Sequence, residues 1–113
     1  MKVWMLTEAF TLTEDHTTIH ESLSSWGLAC TSRHIAMRRL RNAVHERIVE
    51  DLEGSDAGDE EIDSAVEEVM SEGVKLPKRG FRCGYSKDDR EIVWRVYPCE
   101  VEPARAVKGR KAR

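Results

Sequence analysis

The sequence predicts an α+β domain of two layers, an antiparallel sheet of about four strands with two helices packed on one face. Three observations predict it. Short apolar runs with strand-like alternation lie near both ends of the chain. Two apolar stripes with steps of three and four lie in the middle, which is the helix period. The resulting order is strand, strand, helix, helix, strand, strand, which suits helices segregated to one face of an antiparallel sheet.

Residues 2–10 read as the first strand. Trp4, Leu6, Phe10 and Leu12 share one parity, and Val3 and Met5 share the other. Both faces are apolar near its start, as in a central strand covered on one side and partly on the other. Residues 12–25 are polar and ambiguous, although Thr17, Thr18 and Ile19 could extend a hairpin partner. A short second strand is expected over residues 26–30.

Ser32 or Thr31 is the expected N-cap of a helix running to about Leu52. Met37, Leu40, Val44, Ile48 and Leu52 draw its apolar stripe, and Ala36 and Ala43 widen it. Arg39, Asn42, Glu46 and Glu50 form the outer face. His34, Arg38, Arg41 and His45 run along one flank. Residues 53–58 hold Gly54, Ser55 and Gly58 among acids and read as a turn or loop. A second helix over residues 59–72 places Ile62, Val66, Val69 and Met70 inward. Asp59, Glu60 and Glu61 sit in its first turn, where carboxylates favour the positive end of the helix dipole. Gly73 is the expected left-handed C-terminal cap, and Pro77 blocks continuation.

Residues 81–85 and 91–97 read as a hairpin with a four-residue loop pairing Tyr85 with Arg90. That register opposes Cys83 to Ile92 and Phe81 to Trp94, and it gathers Phe81, Cys83, Tyr85, Ile92, Trp94 and Val96 on the buried face. Pro98 and Pro103 restrict the last strand to an edge or a bent end. One domain over residues 1–102 and a basic, disordered tail over residues 103–113 complete the expected organisation.

Composition bounds the function. Apolar residues are 40% of the 113 and charged residues 35%, so one lean core is expected. Trp4, Trp26, Trp94, Phe10, Phe81, Tyr85 and Tyr97 lie in or beside the apolar segments, and each large side chain that is buried contributes roughly 1.5–3 kcal/mol. A homodimer would add to so small a core. No segment approaches the roughly 18 apolar residues of a membrane span. The N-terminal apolar run is cut short by Thr7 and Glu8, unlike a signal peptide. Cys30, Cys83 and Cys99 are an odd, scattered set, as expected of reduced thiols in a cytoplasmic protein.

No motif signals an enzyme or calls for a cofactor. His16 and His20 have the spacing of a metal pair, but zinc needs a third ligand and Glu21 and Cys30 are the nearest candidates. They read as loop histidines. The acidic stretch fails the calcium-loop pattern, because starting at Asp51 puts Asp56 at position 6 and Ile62 at position 12. Cys30 precedes a helix start with His34 one turn on, yet no third orienting group accompanies the pair. The glycines lack phosphate-loop spacing.

Charge sorting is the strongest signal. Residues 50–72 hold eleven acids and no Lys or Arg, residues 33–47 hold five arginines against Glu46 alone, and residues 103–113 hold five bases and no acid. The net charge of −3 conceals this. Such sorting speaks to partners rather than to fold. On the second helix Glu60, Asp63, Glu67 and Glu68 point away from the apolar stripe and could occupy a basic groove on a protein partner. The alternative is nucleic-acid binding through Arg38 and Arg41 of the helix flank with Arg105, Lys108, Arg110 and Lys111 of the tail. Close ion pairs between the arginine flank and the carboxylates would abolish both surfaces.

The pattern resembles small accessory proteins of phages and other mobile elements. An initial strand of the Met1-Lys2-Val3-Trp4-Met5-Leu6-Thr7-Glu8 kind, a strand entering a capped helix as in Leu28-Ala29-Cys30-Thr31-Ser32-Arg33-His34-Ile35-Ala36, and a closing Glu91-Ile92-Val93-Trp94-Arg95-Val96-Tyr97 carry the resemblance. It implies a non-catalytic regulatory protein of the host cytosol. Compact acidic members of such groups inhibit host defence nucleases, anti-CRISPR proteins among them. The long acidic segment with its second helix departs from the pattern.

Overall fold

The computed structural model describes residues 1–14, 17–87 and 90–101, apart from the side chains of 12–14 and 17–25. Among these residues five antiparallel strands form one sheet: β1 Lys2–Glu14, β2 Thr17–Cys30, β3 Val74–Leu76, β4 Gly80–Lys87 and β5 Arg90–Glu100, in the order β2-β1-β5-β4-β3. Helices α1 Arg33–Asp51 and α2 Asp59–Ser71 cover one face. The two-layer α+β class follows as expected, with a short edge strand, β3, beyond the four.

The core lies between the layers. Trp4, Leu6, Cys83, Ile92, Trp94 and Val96 of the sheet meet Ala36, Leu40, Val44, Ile48, Val66 and Val69 of the helices. α1 begins where Ser32 Oγ accepts the Ile35 N–H at 3.2 Å, satisfying one of the free amides of its first turn. Its buried positions, Ala36, Leu40, Val44 and Ile48, repeat every four residues.

Four sequence expectations are corrected. The described part of the polar stretch, residues 12–14 and 17–25, belongs to strands: β1 runs on to Glu14 and β2 starts at Thr17, with register shifts between Phe10 and Leu12 and between Leu12 and Thr13. Backbone pairing needs no apolar alternation, so the side chains gave no strand signal there. The β4–β5 hairpin pairs Lys87 with Arg90, Tyr85 with Ile92, Cys83 with Trp94 and Phe81 with Val96. It is shifted by two residues from the expected register. A shift of two preserves the face of every side chain, so the expected buried set survives.

β5 is central rather than an edge, lying between β1 and β4. Pro98 is tolerated because of where its nitrogen points. Met1 and Val101 exchange backbone hydrogen bonds, the Val101 N–H to Met1 O at 2.8 Å and the Met1 amine to Val101 O at 3.2 Å. By alternation, even residues of β5 turn toward β4. The β4 ladder has ended at Val96, so among the described residues no strand there asks Pro98 for a donor.

Gly73 is not a left-handed cap, since Gly54, at φ 83°, is the one glycine with positive φ among the described residues. α2 instead ends on Glu72 in right-handed conformation. Gly73 is required by close approach: a Cβ there would collide with the ring of Phe81. The direction change that Pro77 forces is made by Lys78 and Arg79, at φ 58° and 67°, in a single 3₁₀ turn, Pro77–Arg79.

Candidate functional site

α2 is placed by its apolar stripe. Val66 and Val69 are buried, with Ile62, Ala65 and Met70 packed around them against α1 and the sheet. At its start the Gly58 N–H donates to the Glu61 carboxylate at 3.1 Å, so one first-turn acid serves as a cap. With the stripe turned inward, Glu60, Asp63, Glu67 and Glu68 are all exposed, as the periodicity requires.

The arginine flank neutralises one of these four. Arg41 of α1 pairs with Glu67, and both side chains remain about half exposed, the setting in which an ion pair contributes about 0–1 kcal/mol. Among the described residues, Glu60, Asp63 and Glu68 have no cation within ion-pair distance. Along residues 50–72 two further acids are paired, Glu50 with Arg47 at 3.4 Å and Asp51 with Arg90 at 3.0 Å. Arg38 is exposed on α1. Arg105, Lys108, Arg110 and Lys111 lie outside the described residues, as does His16, and the side chain of His20 is likewise not described.

A groove runs beside α2. The β3–β4 ladder stops at Val74 opposite Arg82, so among the described residues no strand pairs with the outer edge of β4 beyond that point. The same alternation turns the N–H and C=O of Gly84 and Ser86 outward, toward that bare edge. Ala65, Glu68, Val69 and Glu72 of α2 form the other wall of a cleft of about 370 Å³. An apolar floor, two carboxylates and a free strand edge thus lie together.

Sequence reasoning missed two features. The first is Glu8, which is 4% exposed. Its carboxylate accepts the indole N–H of Trp94 at 2.7 Å and of Trp26 at 2.7 Å, and a guanidinium N–H of Arg47 at 3.1 Å. Burying a carboxylate costs several kcal/mol unless it is paired and hydrogen-bonded, and these three donors supply that compensation. Arg47 also lies 5.4 Å from the Phe10 ring centroid. The arrangement ties β1, β2, β5 and α1 to one point beneath a cleft of about 200 Å³. The signal was present, because Glu8 shares the parity of Trp4, Leu6 and Phe10.

The second feature is on the uncovered face of the sheet. Arg82 and Arg95 are direct cross-strand neighbours, both exposed, and neither meets an acid within ion-pair distance among the described residues. Like charges in that position repel. Exposed Tyr97 stands two residues along β5 on the same face. The wrong hairpin register concealed this juxtaposition.

Cys83 and Cys30 are both buried. Burial pushes the Cys83 thiol up to about 11, so it remains protonated near neutral pH. Cys30 is buried while His34 is exposed, and no hydrogen bond joins them. Among the described residues no group of three His, Cys, Asp or Glu side chains is arranged to hold a metal ion, and no helix is long and apolar enough to cross a membrane. Comparison with protein-family models, with curated proteins and with solved structures finds no match.

Proposed function

We propose that this is a non-catalytic binding protein that seats the outer face of α2 against a basic surface on a protein partner. The observation that carries the reading is the set Glu60, Asp63 and Glu68, exposed on one helix and facing no cation among the described residues. Helical backbone fixes their spacing, so the potential they create is directed and persistent. Such a face accelerates encounter with a cationic surface and makes capture sensitive to salt. The groove beside Glu68 adds a means of holding an extended basic segment, through the free edge at Gly84 and Ser86.

The finer reading is an accessory protein of the phage or mobile-element kind, acting in the host cytosol on a nucleic-acid-processing enzyme. A groove built for phosphates accepts ordered carboxylates for the same electrostatic reason. The pattern resemblance to proteins that include anti-CRISPR inhibitors supports it. Replacing Glu60, Asp63 and Glu68 together by Lys is expected to weaken binding of a fluorescent Lys/Arg-rich peptide by about tenfold or more at low salt. The circular dichroism of the variant should match the parent. Equal binding by the two proteins would remove the reading.

A second reading, direct nucleic-acid binding, is favoured by the opposed Arg82 and Arg95 beside Tyr97. Two cations and an aromatic ring on an open sheet suit a single strand, whose bases stack and whose phosphates pair. It predicts retention of single-stranded RNA or DNA in a gel shift at low salt, lost when Arg82 and Arg95 are both replaced by Ala. No shift at low salt would exclude it.

A further inference from the structure

We propose that the protein forms a two-fold symmetric dimer in which β2 pairs antiparallel with β2 of a second copy, joining two five-stranded sheets. The proposal goes beyond the reading of α2 and does not depend on it.

β2 is an unprotected edge. Among the described residues it has a single neighbour, β1, and pairs with it in unbroken register from Ser24 opposite Phe10 to Cys30 opposite Trp4. Residues 22–30 contain no charged residue and no proline. Sheet edges in monomers are ordinarily blunted by charge, proline, a bulge or a covering element, because a bare regular edge is a template for another strand. The Met1–Val101 exchange sets the phase here too: odd residues of β1 turn to β5, and even residues turn to β2. Their partners Trp26, Leu28 and Cys30 therefore bond inward. Ser25, Gly27 and Ala29 direct N–H and C=O groups to the bare side.

The helix layer also stops short of this edge. Trp26 and Leu28 lie on the helix side of the sheet, opposite buried Glu8 and Leu6, yet are 40% and 36% exposed. With Arg39, Asn42, Ala43 and Glu46 of α1 they line a groove of about 210 Å³. A two-fold axis normal to the sheet closes this groove with its own copy. Trp26 and Leu28 of both chains then fill the space between two antiparallel α1 helices.

Charge selects a second copy as the occupant. Arg39 and Glu46 are two helical turns apart, with Asn42 and Ala43 midway between them. Neither has an ion-pair partner among the described residues. An axis passing over Asn42 and Ala43 sets Arg39 of each chain against Glu46 of the other, so the surface is complementary to itself, as an isologous contact requires. The short side chains at the crossing leave room for the approach.

The test is the mass of the full chain in solution, by sedimentation, across micromolar concentrations. The parent is expected to be a dimer. Arg39→Glu and Glu46→Arg should each weaken association by about tenfold, since each creates two like-charge contacts. The double exchange should restore it. Ala29→Pro removes an outward N–H and should give a folded monomer by circular dichroism; if it fails to fold, the charge exchange still decides. A monomer at every concentration, or a dimer unmoved by the single changes, would overturn the proposal.

Discussion

At the scale of single residues, position rather than type sets what a side chain does. Glu8 is an acid in an apolar row, and it stays there because two indoles and a guanidinium donate to it. Glu8→Gln keeps the shape but leaves one acceptor oxygen, and the new NH₂ faces donors. Stability to urea should fall by about 2–4 kcal/mol, combining an unsatisfied buried donor with a broken charged contact. A loss below half a kcal/mol (about the error of such a measurement) would show the carboxylate to be dispensable. Gly73 is constrained by Phe81 rather than by φ. Gly73→Ala should cost about 1–3 kcal/mol through overpacking, and Phe81→Leu in the same chain should recover part of that. Equal losses with and without the second change would show that the ring is not the obstacle.

At the scale of elements, legibility tracked the physics of each signal. α1 was readable at both ends because capping and the four-residue repeat of Ala36, Leu40, Val44 and Ile48 act locally. The buried face of the β4–β5 hairpin was readable even in the wrong register, since parity is insensitive to a shift of two. What depends on register, the Arg82–Arg95 juxtaposition, was not. β3 has three residues, too few to show a period. Residues 12–14 and 17–25 pair through their backbone, which sequence patterning does not report. The outward direction of Glu60, Asp63, Glu67 and Glu68 followed from the α2 stripe. That Arg41 would take Glu67 alone among them required the packing of α1 against α2. At this scale the second reading is also decided: the Arg82 and Arg95 pair either retains a single strand at low salt or it does not.

At the scale of the whole molecule, sorted charge becomes sorted surface. The sheet and α1 build the core, and α2 rides on it with its carboxylates turned out beside the free edge of β4. The Trp26–Leu28 edge lies at the opposite end of the sheet order from β4 and β3. Self-association there would leave the α2 face clear and double its number in one particle, raising avidity for a partner with two basic sites. The most direct measurement of the central claim is a map of backbone amide shifts while a Lys/Arg-rich peptide is titrated into the isotopically labelled full chain at low salt. The account predicts shifts concentrated on α2 and on Gly84 and Ser86, disappearing at moderate salt. Shifts confined to the Arg82–Arg95 face or to α1, or none at all, would contradict it.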